Sequence, residues 1–439
     1  MADIVLYSGH VIHLVDAPAG DDPAANLVSE ENGALAVRDG VICGVGDLVD
    51  LRRRFKGARE ISFGRNLLLP GFIDSHVHFP QMDIIGAYSG RLLEWLLDHT
   101  FPTEALFADE FLVRDAAAVF FRELHRNGTT TAMIYSSSHF RATDLLFDEF
   151  AAKGGRAVIG KCSMDRHAPE ELLVSPAADQ NSLEKLISRW HGHDDRLFVA
   201  LTPRFAPACT EEMLAMLGDM RRSRPDLWVQ THLSENEEEI EWVAELYPDE
   251  PDYLAVYEKF NLLGERTVLA HCIHNTDAER QRMKAAGAVV AHCPSSNLFL
   301  GSGLFPAGEF RNLDIPVTLG SDVGGGTSLS MWKTMGDAWK VAALGREETH
   351  PLELFYQATL GGARALGLGR QTGNFAEGKA ADFQVLDPTR LPLLERRLRR
   401  CENPVDILFA LFFHADDRLT RHVFVKGRAI DLGEDDPSG

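Results

Sequence analysis

The chain has 439 residues and a formal net charge of −21, with 45% of its residues hydrophobic and 25% charged. That length accommodates a large α/β domain with a smaller companion, the composition excludes extensive disorder, and the charge repels a phosphate backbone, so nucleic acid is not the expected partner. No apolar stretch reaches membrane-spanning length, the first residues lack the basic flank and apolar core of a signal peptide, and six dispersed cysteines without a Cys-x-x-Cys pair fit reduced thiols in a cytoplasmic protein.

From residue 2 to about 66 the chain reads as short strands at 4–7, 11–15, 34–38 and 41–45, with one more near Ile61 and a hairpin turn at Asp39-Gly40. This unit lacks the apolar surface for a core of its own. Strand patterns return at 378–386 and 422–428, and two incomplete terminal segments are expected to pair with each other. The expected organisation is therefore a small β-sandwich domain built from 1–66 and 373–432, a central domain over 67–372 and a disordered acidic tail at 433–439.

The central domain opens with Leu67-Leu-Leu-Pro-Gly-Phe-Ile-Asp-Ser-His-Val-His-Phe-Pro-Gln81. An apolar run that turns at Pro-Gly and continues into alternating residues reads as a buried strand ending in a loop. His76 and His78 then face the same side of that strand and can supply half of a zinc coordination sphere. A His-x-His pair also arises by chance, and His191 and His193, between Arg189-Trp190 and Asp194-Asp195, read as a polar surface loop. Further strands at 130–135, 157–162, 197–202, 228–232, 267–271, 288–292 and 317–320 alternate with amphipathic stretches at 104–124, 182–190, 211–222, 235–246 and 277–286. Eight strands separated by helices or long connections predict a (β/α)8 TIM-type barrel, with its site at the carboxyl ends of the strands.

Those ends carry a short list of polar residues. Strand one ends with His76, His78 and Gln81, strand four with Arg204-Phe205, strand five with His232 and Glu235, strand six with His271, and strand eight with Asp322. Each alone has a plain structural reading, a hydrogen-bonded core histidine or an Asx-turn aspartate. Together, four imidazoles and two carboxylates in one barrel interior require a metal or a substrate to satisfy them. His76, His78, His232 and Asp322 make a nitrogen and oxygen set suited to a hard or borderline divalent ion, zinc above all, with a position left for water. Glu235 beside it can move a proton from that water to a ring nitrogen of a substrate. His271 can orient the water, and Asp322 can accept a second proton on the way to a leaving amine.

His76-Val-His78, His232-Leu-Ser-Glu235, Leu269-Ala-His271-Cys272 and Gly320-Ser-Asp322 at these positions resemble the amidohydrolase superfamily, in its mononuclear aminohydrolase branch. Pro70–Gln81, Leu93-Glu-Trp-Leu96 with His99-Thr-Phe-Pro-Thr-Glu104, Thr202-Pro-Arg-Phe-Ala-Pro207 and Ser321-Asp-Val-Gly-Gly-Gly326 extend the likeness over essentially the whole chain, to members of the branch that act on guanine. The resemblance implies hydrolytic deamination of guanine to xanthine and ammonia at one zinc per chain. It also implies substrate contacts from Gln81, Arg204, Phe205, His232, His271 and Asp322, and a homodimer. The residue chemistry is compatible: arginine offers paired donors to a guanine edge, glutamine donates and accepts, and phenylalanine packs on a flat ring. Phe205 reads equally as a core residue, whereas for Arg204, whose alternative is pairing with a nearby carboxylate, the resemblance favours the substrate. Departures from the pattern are few: strand two ends Tyr135-Ser-Ser-Ser-His139 where relatives commonly carry a threonine, and Lys161 falls on strand three rather than on the fourth, which implies a one-metal site. Two other readings stay open, an aminohydrolase for another heterocycle (8-oxoguanine, an adenine derivative or an aminotriazine) and a non-catalytic relative, the latter disfavoured because every ligand and Glu235 are present.

Overall fold

A computed structural model describes residues 4–88 and 90–433, so all of the expected acidic tail but Gly433 lies outside the described residues. The amino-terminal strands are β1 (Val5–Leu14), β2 (Leu27–Arg38), β3 (Val41–Asp47) and β4 (Arg59–Pro70). The strands expected at 4–7 and 11–15 are one strand, in which the register shifts between Gly9 and Val11. The irregularity there is a bulge, which interrupts the pairing without ending the strand.

Eight strands follow as one sheet in sequential order: β5 (Phe72–His78), β6 (Thr129–Tyr135), β7 (Arg156–Ser163), β8 (Leu197–Pro203), β9 (Trp228–Leu233), β10 (Thr267–His271), β11 (Val289–His292) and β12 (Val317–Leu319). Their neighbours pair in parallel, and β5, β6 and β7 are buried at every residue, as strands covered on both faces must be. The sheet closes where Ser75 Oγ donates to Leu319 O at 2.8 Å and Asp322 N donates to His76 O at 2.8 Å. The expected eight-stranded barrel is borne out.

The barrel begins at Phe72, not at residue 67. Leu67–Pro70 belongs to β4 and pairs antiparallel with β13 (Phe383–Leu386), Leu67 opposite Leu386 and Pro70 opposite Phe383. An apolar run buried on both faces looks alike in either sheet. The chain changes sheets at Gly71, where any side chain would collide with Thr130. With β14 (Thr420–Val425) and β15 (Arg428–Ala429) the terminal segments form one seven-stranded sheet in the order β15-β14-β13-β4-β1-β2-β3. It curls until Val41 bridges Ala380, enclosing Tyr7, Val37, Ile42, Phe383 and Phe424.

Two departures among the helices bear on the site. The stretch expected at 104–124 is broken: a helix over Phe101–Ala105 ends, and Asp109 caps a new one over Glu110–Arg126 by accepting from Phe111 N at 2.8 Å. The helix expected from 235 begins at Glu237, because Asn236 and Glu239 form a capping box that leaves Glu235 in the loop after β9. His191 is not a surface residue as expected; it accepts from Val199 N at 3.1 Å and pairs with Asp226 at 3.1 Å, whereas His193 is exposed. A helix over Pro404–His414, too uniformly apolar to show a face, packs in the seam between barrel and terminal sheet and has no counterpart in the sequence reading. Among the described residues no helix is long and apolar enough to cross a membrane.

Candidate metal and substrate site

The carboxyl ends of the barrel strands carry the predicted residues into one place. His76 and His78 project from β5 with their Nε2 atoms 3.2 Å apart, and His232 Nε2 from β9 stands 3.3 Å from His78 Nε2. Asp322 Oδ1 lies 3.1 Å from His76 Nε2 and 3.3 Å from His78 Nε2. Its other oxygen is 3.7 Å from His271 Nε2, which is 3.2 Å from Glu235 Oε2. His76 and His78 are buried, and burial lowers both imidazoles, His78 to about 4, while His232 is held well below the ordinary histidine value. His232 Nδ1 donates to Arg204 O at 2.5 Å, so its Nε2 carries a lone pair. Three ring nitrogens and a carboxylate oxygen crowd within 3.3 Å of their neighbours, an arrangement that a cation among them would satisfy at once. The donor set thus fits a metal ion, and the ring atoms of His76, His78 and His232 all lie within 4.8 Å of one another.

Three of the turns that hold this cluster have left-handed backbone at non-glycine residues: Ser234 at φ 50°, His271 at φ 70° and Asp322 at φ 50°. Such conformations cost of the order of 1–3 kcal/mol each and concentrate at functional sites. Gly320 sits so close to β5 that a Cβ there would lie 2.7 Å from His76 Cβ, which is why the chain approaching Asp322 carries no side chain.

The carboxylates around the cluster are built in from the backbone. Glu239, within the capping box, accepts from Glu235 N at 3.0 Å and from Tyr253 Oη at 2.8 Å, which fixes the loop bearing Glu235. Burial, helped by the Asp322 charge, pushes the Glu235 carboxyl up to about 8, and Ser302 Oγ donates to it at 3.1 Å. Asn297 Oδ1 accepts from His271 Nδ1 at 2.9 Å and aims Nε2 at Glu235. Beneath the cluster, Asp74 accepts from Ser321 N at 3.0 Å, Ser321 Oγ at 2.5 Å and His76 N at 3.3 Å; burial pushes its carboxyl up to about 7 against those bonds.

A cavity opens above the cluster, lined by His78, His232, Glu235, His271 and Asp322 on its floor and by Gln81, Arg204, Phe205, Leu92, Trp95 and Leu96 on its walls. His76 lies just beneath it. Phe205 packs edge-on against Trp242 at 6.0 Å. Arg204 does pair with a carboxylate, Glu104, whose Oε2 is 2.5 Å from Nη1, and Gln81 Nε2 donates to the same carboxylate at 2.9 Å. Sequence reasoning gave no role to Asp74, Asn297 or Ser302, and met Glu104 without a role of its own, as the last residue of the His99–Glu104 motif. Asp74, a charge inside an otherwise apolar strand, was the one with a signal to follow.

The sequence pattern of the amidohydrolase family matches residues 67–430. The chain is 39% identical over 421 residues to the guanine deaminase of Escherichia coli (strain K12), covering 96% of this chain and 95% of that one. The solved structure of E. coli guanine deaminase superposes with a TM-score of 0.94 over 97% of this chain and 99% of that one. A guanine deaminase from C. acetobutylicum with guanine bound in its active site is 30% identical, with a TM-score of 0.89 over 98% of this chain and 100% of that one. An adenosine deaminase from Xanthomonas campestris with bound zinc is 26% identical, with a TM-score of 0.84 over 98% of this chain and 92% of that one. A family match over most of its length, with a relative 39% identical across nearly all of both chains, makes this chain a member of the amidohydrolase family.

Proposed function

We propose that this protein is a zinc-dependent guanine deaminase, which hydrolyses guanine to xanthine and ammonia. The observation that carries the reading is one cavity lined by Arg204 and Gln81 together with Glu235 and with His78, His232 and Asp322 of the donor set. His76, His78, His232 and Asp322 would hold one zinc, which would lower the pKa of a water to about 7.

The chain's own groups do the rest. Arg204 offers its uncommitted guanidinium donors to the O6 and N7 acceptors of guanine, Gln81 adds an amide contact, and Phe205 and Trp95 flank the ring plane. Glu235 takes a proton from the attacking water and delivers it to a ring nitrogen, which makes C2 a better electrophile. His271 Nδ1 donates to Asn297, which leaves the Nε2 lone pair to accept a hydrogen bond from the same water and hold it toward C2. Asp322 Oδ2 accepts the second proton and passes it to the departing ammonia. The enzyme serves purine catabolism in the cytoplasm, which six unbonded cysteines suit, and the family resemblance supports a homodimer.

The test is steady-state ammonia release by zinc-replete enzyme from guanine, 8-oxoguanine, adenine, cytosine and aminotriazines. Efficient turnover of guanine alone supports the reading. Preference for any other member of the panel sinks it and reassigns Gln81, Arg204 and Phe205.

A further inference from the structure

Glu104 has no part in the chemistry above, yet it is fully buried and stands where three elements of the barrel mouth meet. It ends the helix over Phe101–Ala105. Its Oε1 accepts from Gln81 on the turn after β5, and its Oε2 accepts from Arg204 after β8. Because a carboxylate only accepts, Gln81 must turn its NH2 toward Glu104. Its Oε1 then faces Gly324 N after β12, which donates at 3.1 Å, so both constraints select the same amide orientation. One turn earlier, Phe101 lies against the Arg204 guanidinium at 5.3 Å. The guanidinium is thus held by charge and by a ring, both from a single helix. The same segment supplies Leu92, Trp95 and Leu96 to the cavity wall and is tied down from the loop after β6 by Ser137 Oγ donating to Glu104 O at 3.4 Å.

We infer that Glu104 is a specificity-determining positioning residue: it sets the planes of the Arg204 guanidinium and the Gln81 amide, and it does so only while the Leu92–Ala105 segment is seated over the cavity. The inference rests on the guanine reading. A guanidinium on a flexible stem reads two acceptors on one base edge only if its plane is fixed beforehand. Glu104 commits Nη1 and leaves the other donors uncommitted among the described residues. Seating the apolar wall and readying the readers are then one event.

The test compares guanine with 2-aminopurine, which has the same rings and the same 2-amino group but no O6. Wild type, Glu104→Gln and Glu104→Asp are assayed for kcat and KM on both, with zinc content and thermal midpoint read on the same samples; 2-aminopurine serves as a competitive inhibitor if it is not turned over. For Glu104→Gln the guanine kcat/KM falls about 100-fold, mostly through KM, while the 2-aminopurine value or its inhibition constant changes less than about threefold, so discrimination narrows. Glu104→Asp, which keeps the charge but cannot reach both partners, falls between, and it is read alone if Glu104→Gln does not fold or hold zinc. Parallel losses on both substrates, or no loss on guanine, overturn the inference. Wild type that leaves guanine untouched overturns the guanine reading instead, so the two failures are distinct.

Discussion

At the seam between barrel and terminal sheet, Arg156 and Asp382 are both buried and 3.0 Å apart. Arg156 also donates to Gln371 Oε1 at 3.0 Å and to Asp195 O at 3.0 Å, and Asp382 accepts from Lys426 N at 2.6 Å. At the barrel mouth, His76, His78, His232 and Asp322 are equally well packed but aim their ring nitrogens and a carboxylate oxygen at one another. The seam is saturated by the protein, and the mouth is saturated only by something added. Buried polarity therefore marks a site where the protein leaves its own donors and acceptors facing, and marks architecture where it does not.

Substitutions at the two places should separate accordingly. Glu235→Gln is expected to cut ammonia release from guanine by about 10³- to 10⁴-fold, with zinc content and thermal midpoint unchanged; a parallel loss of metal would show that Glu235 is a ligand. Arg156→Met strands the Asp382 charge and should cost about 3–5 kcal/mol, seen as a lower denaturation midpoint, while kcat of the folded fraction stays at the wild-type value. Asp74→Asn lies between the two cases, since Asp74 is satisfied by the protein yet holds Ser321 and His76. It should weaken zinc affinity about 10- to 100-fold in a chelator titration with little change in folding.

The smallest effect is at the surface. Arg224 holds the Asp226 carboxyl down to about 2, below the ordinary aspartate value. The folded chain favours the charged form, so the contribution is present above about pH 4 and is lost as pH falls through about 2. Asp226 is half exposed, and Asp226→Asn should cost well under about 1 kcal/mol at pH 7, a cost that shrinks as pH falls toward about 2. A cost that does not shrink between pH 7 and about 2 would show that His191 clamps the loop through shape and not charge.

What the sequence made legible follows the same division. A two-residue spacing puts His76 and His78 on one face without any knowledge of the fold, and polar residues at the ends of apolar strands announce a barrel site because an apolar interior cannot hold them unaided. Eight strands could be counted because each is a short apolar run between helical patterns. Glu104 could not be found this way. It lies in an amphipathic stretch where a glutamate reads as solvent-facing, and its burial depends on a break at Asp109 and on two partners about 20 and 100 residues away in the chain. The change of sheet at Gly71 was hidden for a related reason: Leu67–Pro70 and Phe72–His78 are both fully covered, and coverage erases the alternation that distinguishes sheets.

The central claim is that the mouth is incomplete without one metal ion and works on guanine when it has it. The direct measurement is a titration of metal-stripped protein with zinc, following bound metal and ammonia release from guanine together. Activity that rises in proportion to bound zinc and saturates at one ion per chain is the predicted result. Full activity in metal-free protein, or saturation only at two ions per chain, would contradict it.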